Sequence, residues 1–163
     1  MSLDLFMTTI TWLGSLYFLL PASAFITLAL MMTGHWRDAV TLWLGLGLTC
    51  MVVHLAKLIF RRPRPEAMDL LVPMPVDWSF PSAHTAQATA FFAFLALIAC
   101  RSLPSFWAGL TGVACVLVVG GVGWSRVYLQ VHYLSDVVAG GLVAIVIVVL
   151  LQRVLPSLLG SVG

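Results

Sequence analysis

Residues 142–151 read LVAIVIVVLL, ten consecutive side chains with no polar atom among them. They lie inside a longer apolar stretch, from about 131 to 153, which matches the roughly 20 helical residues needed to cross the about 30 Å of a bilayer core. Only helices and closed barrels satisfy every backbone N–H and C=O in lipid. Four further stretches meet the same requirement, at about 15–33, 39–60, 83–100 and 105–124. Residues 1–14 are apolar but too short to span alone, and they read as an interfacial helix or a short inserting one. The expected fold class is an all-α integral membrane protein, one domain over 1–163, with a bundle of five to six transmembrane helices.

Composition leads to the same class. Of the 163 residues, 61% are hydrophobic and 9% charged, against about 45–50% and about 25% in soluble domains. The mean hydropathy is +1.07. That leaves too little polar surface to cover a water-soluble globule, and a net charge of +2 gives no footing for a nucleic-acid partner. Cys50, Cys100 and Cys115 are far apart in apolar runs, an odd number without metal-type spacing, and read as small buried side chains. Ala22-Ser23-Ala24 resembles a signal-cleavage site. Residues 1–13 carry Asp4 and no Lys or Arg, however, so a retained membrane segment is expected.

Half of the charged side chains (Lys57, Arg61, Arg62, Arg64, Glu66, Asp69 and Asp77) fall between 57 and 77. Prolines at 63, 65, 73, 75 and 81 exclude a continuous helix across 61–82. Counting crossings places this loop and the 125–131 turn on one membrane face, with the turns at 34–38 and 101–104 on the other. Arg37, Arg101 and Arg153 on that second face mark it as cytoplasmic by the positive-inside rule. The 61–82 loop is therefore expected to face outward. The small residues Gly45, Gly47, Gly120, Gly121, Gly123, Gly140 and Gly141 suit close helix approach.

Charged groups in a span cost about 2.5–3.5 kcal/mol each at its centre and need partners or a task. Three clusters share the loop face. Lys57 and Arg64-Pro65 end the second span, where Arg61 and Arg62 read as snorkelling anchors. Pro81-Ser82-Ala83-His84 opens the third span, with Ser82 as N-cap and the first-turn amides offering an anion site. Ser125-Arg126, His132 and Asp136 form the last cluster. The i, i+4 spacing of His132 and Asp136 puts imidazole and carboxylate on one helix face, so that the carboxylate fixes the tautomer. Together these residues make a cradle for a tetrahedral oxyanion with a candidate histidine nucleophile. With no carboxylate cluster to hold magnesium, the expected chemistry is phosphoryl transfer without metal or other cofactor. The residues alone do not decide which histidine attacks. His54, one turn before Lys57, reads as a bundle-interior histidine or a support beside the site, as does Ser125. Tyr128 and Tyr133 read as interfacial aromatics.

Lys57-x6-Arg64-Pro65, Pro81 to His84 and Ser125-Arg126-x5-His132-x3-Asp136 resemble the type-2 phosphatidic acid phosphatase signature, K-x6-RP, PSGH and SR-x5-H-x3-D, in order and spacing. Ala83 in place of glycine is the departure. The resemblance implies that bundle type and a phosphohistidine mechanism. His132 would attack, Asp136 would orient it, and His84 would protonate the leaving oxygen. Lys57, Arg64, Ser82, Ala83 and Arg126 would hold the phosphoryl oxygens. The implied partners are the bilayer and a membrane lipid phosphate, with no obligate protein partner evident. An isoprenoid carrier diphosphate such as undecaprenyl diphosphate leads, followed by phosphatidylglycerophosphate, phosphatidic acid and a lipid A phosphate. The implied location is the bacterial inner membrane with the site on its periplasmic face. A lipid phosphotransferase and a non-catalytic anion or lipid transporter are the competing readings.

Overall fold

A computed structural model describes residues 2–66 and 70–160, with side chains described as far as Leu155. Asp69, counted above in the charged loop, lies outside those residues. Six helices follow one another: α1 (Leu3–Ile10), α2 (Leu16–Met32), α3 (Trp36–Phe60), α4 (Ala83–Ser102), α5 (Ser105–Tyr128) and α6 (Leu134–Gly160). A 3₁₀ turn (Thr11–Gly14) joins α1 to α2, and every regular element among the described residues is helical.

Four helices, α3 to α6, are each long and apolar enough to cross a membrane. α2 has 17 residues and so reaches only about 25 Å. The segment Leu3–Gly14 meets it at a 52° bend, and the two pass the same length and composition test only as a pair, a geometry shared by a broken span and a re-entrant loop. The bend sits at Ser15, whose extended backbone and side-chain bond to the Tyr17 amide cap the start of α2. This settles the place of residues 3–14 as helix plus 3₁₀ turn folded against the end of α5, where Tyr128 Oη donates to Asp4 Oδ1 at 2.7 Å.

α4 is the axis of the bundle. Its first twelve residues are buried almost without interruption, and Phe91 and Phe94 pack with Leu19, Leu42, Leu46, Val122 and Val148. Close approach is built in by glycine at four of the seven positions named above. A Cβ on Gly45 would overlap the Phe94 ring, one on Gly121 would meet Ile10, and one on Gly123 would meet Val137. One on Gly140 would stand 2.6 Å from the Ser82 carbonyl oxygen. Gly47 and Gly120 face open space and Gly141 has ordinary contact distances. The outer faces of α5 and α6 expose Phe106, Leu117, Leu142 and Leu150, which is the solvation expected when the surrounding medium is hydrocarbon. Cys100 belongs to an exposed surface, whereas Cys115 is buried; the expectation of burial fails for Cys100 because it lies near the end of α4, beyond the helices that enclose its first half.

The chain direction alternates, so the 61–82 loop and the 129–133 turn share one end and the 33–35 and 103–104 turns the other. Arg101 binds Asp38 and Gln152 at that second end. α3 stops at Phe60, and Arg61 adopts left-handed backbone with φ 45°. Pro63 disfavours helix at the residue before it, which explains the stop. The loop then folds back over the bundle, with the Ser79 amide donating to the Arg62 carbonyl at 2.9 Å.

Candidate active site

The loop end gathers groups from every part of the chain. A cavity of about 250 Å³ is lined by Lys57 of α3, Arg64 and Asp77 of the loop, Ala83 and His84 of α4, Arg126 of α5 and His132 of the 129–133 turn. Ser15, Leu16, Tyr17, Pro75 and Gln87 complete its wall. The three distant clusters therefore meet on one face.

α5 continues to Tyr128, so Arg126 projects from a helix and not from a turn, while α6 begins only at Leu134. His132 and Asp136 consequently do not share a helix face, as their spacing suggested. His132 is held by backbone bonds of the turn, its amide donating to the Arg126 carbonyl at 3.3 Å. Its Nδ1 still reaches within 3.5 Å of Asp136 Oδ2. That contact is long, and Ser79 bridges it: its hydroxyl donates to Asp136 Oδ2 and stands 3.4 Å from His132 Nδ1. The Tyr133 amide donates to the same oxygen at 3.0 Å. With Nδ1 turned to the carboxylate, the lone pair of Nε2 faces the cavity, where Arg64 Nη1 lies 3.2 Å away.

Burial pushes the His132 pKa down to about 4 against the raising effect of Asp136, and the positive charges of Arg64, Arg126 and Lys57 lower it further. The ring is thus neutral at ordinary pH. Asp77 is held below the usual carboxylate range: burial works the other way, but bonds from Lys57 and Arg64 outweigh it.

The cations are differently engaged. Lys57 Nζ donates to the Trp78 carbonyl and lies 3.0 Å from Asp77 Oδ2. Arg64 donates to the carbonyls of Asp77 (2.8 Å) and Val131 (2.6 Å) and pairs with Asp77 Oδ1. Arg126 Nη1 donates to Thr11 Oγ1 at 2.8 Å. The Nε of Arg126 is buried and has no hydrogen-bond partner. A buried charged donor without an acceptor carries a full desolvation penalty.

Other expected residues have different places. Ser82 occupies the N-cap position of α4 without a side-chain capping bond. Its hydroxyl accepts from Thr85 Oγ1 at 3.0 Å and its amide donates to the Asp136 carbonyl at 3.0 Å, so it ties α4 to α6 and does not line the cavity. Ala83 and His84 do line it, and their first-turn amides lack helical acceptors by position. The Ser125 hydroxyl donates back to the Val122 carbonyl. His54 is exposed, because the buried face of α3 runs through Thr49, Val53 and Lys57. It is neither a bundle-interior residue nor a wall of the cavity.

Arg62 corrects the reading of that residue as an anchor. Its Nη1 donates to Asp136 Oδ1 and to Ser135 Oγ, each at 2.7 Å, and its guanidinium lies 4.0 Å from the Tyr133 ring centre. Ser79, Asp77 and Thr11 are further participants that the motif reading passes over. Asp77 had a signal in its position among the loop charges; Ser79 and Thr11 had none. Among the described residues no three His, Cys, Asp or Glu side chains are placed to hold a metal ion.

Comparison with known proteins identifies the family. Phosphatidylglycerophosphatase B of Bacillus subtilis is 31% identical over 140 residues, which is 82% of this chain and 66% of the relative. A decaprenylphosphoryl-5-phosphoribose phosphatase of Mycolicibacterium smegmatis is 37% identical over 105 residues, 60% of this chain and 52% of the relative. The chain thus spans between about half and just under two thirds of these curated relatives. The solved structure of a transmembrane PAP2-type phosphatidylglycerolphosphate phosphatase from Bacillus subtilis superposes with a TM-score of 0.86 at 29% identity, over 93% of this chain and 75% of that one. For LpxE of Aquifex aeolicus the TM-score is 0.75 at 29% identity, over 93% and 86%. The PAP2 superfamily model matches residues 38–158, which contain all three clusters, and this integral membrane chain belongs to that superfamily.

Proposed function

We propose that the protein is a lipid-phosphate phosphatase that works through a phosphohistidine at His132. The observation that carries the reading is the convergence of Lys57, Arg64 and Arg126 on the cavity that holds His132, whose imidazole is backed by Asp136 and meets Arg64 at Nε2. The Nε2 lone pair attacks phosphorus, the bond to the leaving oxygen breaks, and His84 gives that oxygen its proton. Water then attacks phosphorus from the same cavity, with His84 taking its proton; the N–P bond breaks, Nε2 regains its lone pair, and inorganic phosphate leaves. The three cations and the α4 first-turn amides stabilise the charge that develops on the equatorial oxygens. No metal is assigned a part: Asp136 is committed to Arg62, Ser79 and the Tyr133 amide, and Asp77 to Lys57 and Arg64.

A second cavity of about 480 Å³ adjoins the first at Ser15, Tyr17 and His84 and is walled by Trp12, Leu71, Val72 and Pro73. Its apolar walls suit the start of a lipid tail, so the headgroup enters while the chain stays in the bilayer. An isoprenoid carrier diphosphate such as undecaprenyl diphosphate is the substrate we favour, in keeping with a relative named for a decaprenyl lipid. Phosphatidylglycerophosphate is the second reading, supported by the relative named for it. The proposed setting is the bacterial inner membrane with the cavity on the periplasmic face. Arg37, Arg101 and Arg153 lie toward the opposite end, as the positive-inside rule asks.

Pure protein given a panel of these lipids in excess chelator is expected to release phosphate, and His132→Ala to lose release while still binding the headgroup. A phosphorylated acceptor lipid in place of free phosphate identifies a phosphotransferase. Binding without turnover in the wild type identifies a transporter-like role and overturns the proposal.

A further inference from the structure

Asp77 is the negative charge on the wall of a cavity that also carries three cations, Lys57, Arg64 and Arg126. Its carboxylate reaches both Lys57 and Arg64, whose side chains are 5% and 8% exposed, while its own is 51% exposed. The imbalance matters. Two buried cations without a counter-charge are expensive, and Asp77 supplies one from the rim. The loop backbone separately fixes the same two cations, through the Trp78 carbonyl for Lys57 and the Asp77 and Val131 carbonyls for Arg64. Their placement therefore does not need the carboxylate. Half of the Asp77 side chain is exposed, so it has room to turn away from the cations.

We propose that Asp77 is an internal competitor for the phosphate cradle, an acid group that holds Lys57 and Arg64 until a phosphoryl group displaces it. The inference rests on the reading of this cavity as a phosphate site. A dianionic phosphate offers more charge and more acceptor oxygens than one carboxylate and wins the exchange. A monoanion gains little from it. After hydrolysis the carboxylate re-pairs with the cations and lowers the hold on the inorganic phosphate product. Asp77 thus sets the balance between binding substrate and releasing product without touching the reacting atoms.

The test is inorganic phosphate titrated calorimetrically into the full-length protein in detergent at low salt. Asp77→Asn, which keeps the shape and removes the charge, is expected to bind phosphate about fivefold tighter, the scale of a solvent-accessible ion pair. Asp77→Glu restores the charge and is expected to move affinity back toward wild type. Asp77→Ser repeats the charge removal with a smaller side chain, and the same tightening is required of it. A positioning role predicts the opposite sign, so equal or weaker binding by the Asn and Ser variants beside a binding wild type overturns this inference and leaves the cradle intact. Failure of wild type and variants alike to bind phosphate removes the cradle reading, and the inference with it.

Discussion

Asp136 is fully buried and accepts hydrogen bonds from Arg62, Ser79 and the Tyr133 amide, with His132 alongside. Arg62 is its only cationic donor among the described residues, and its bond to Oδ1 aims the carboxylate. Arg62→Gln is expected to lower kcat by about 10- to 100-fold, the scale of a hydrogen bond to a charged group, with KM little changed because Arg62 does not line the phosphate cavity. A steady-state assay separates the two parameters; a rise in KM at constant kcat would place Arg62 in substrate binding instead. His132 gives a second expectation at this scale. Its neutral form is the nucleophile, and its pKa is lowered to about 4. The neutral form therefore persists as pH falls and is lost only near that value, where an ordinary histidine would already be protonated below about 6.5. Arg64→Ala removes one of the lowering charges, so the acid limb of the kcat/KM profile should move to higher pH. A limb that stays put or moves down contradicts this account of the shift.

At the scale of helices, the position of α4 depends on how close α6 can come. Gly140 faces the Ser82 carbonyl and the Ala86 amide, the two ends of the first α4 hydrogen bond. Gly140→Ala is expected to cost about 1–3 kcal/mol, as overpacking does, and to lower activity by displacing His84. Gly47→Ala, which meets open space, should leave both unchanged. Thermal unfolding in detergent and phosphate release from the two variants decide the point. Much of this was legible beforehand. Hydropathy located α3 to α6, and prolines located the loop between α3 and α4. The motif spacing gave the cations and both histidines of the cavity wall, Lys57, Arg64, His84, Arg126 and His132, together with Asp136 behind it. What escaped reading is long-range. Nothing adjacent in sequence tells that Arg62 reaches Asp136 across 74 positions or that Arg126 finds Thr11 across 115. The turn that removes His132 from α6 escaped too, because an i, i+4 spacing survives one turn of irregular backbone as readily as one turn of helix.

The whole molecule has a charged end and a plainer one, and its orientation is open to measurement. Val76 protrudes from the loop and is fully solvent-exposed. In a Cys100→Ser background, Val76→Cys is expected to react with a membrane-impermeant maleimide added to intact cells stripped of any outer membrane. Labelling only after lysis would put the cavity on the cytoplasmic side and reverse the proposed topology.

One joint described above reaches beyond geometry. The backbone carbonyl of Asp136 receives the Ser82 amide while its carboxylate receives the loop, so a single residue of the last helix fastens the entrance of the fourth and the segment preceding it. In chain order that residue comes after Lys57, Arg64, His84, Arg126 and His132. On the proposed chemistry, a half-assembled chain holds its nucleophile unsupported and has no hydrolytic power. Docking of the start of α6 and completion of the proposed site are then a single step.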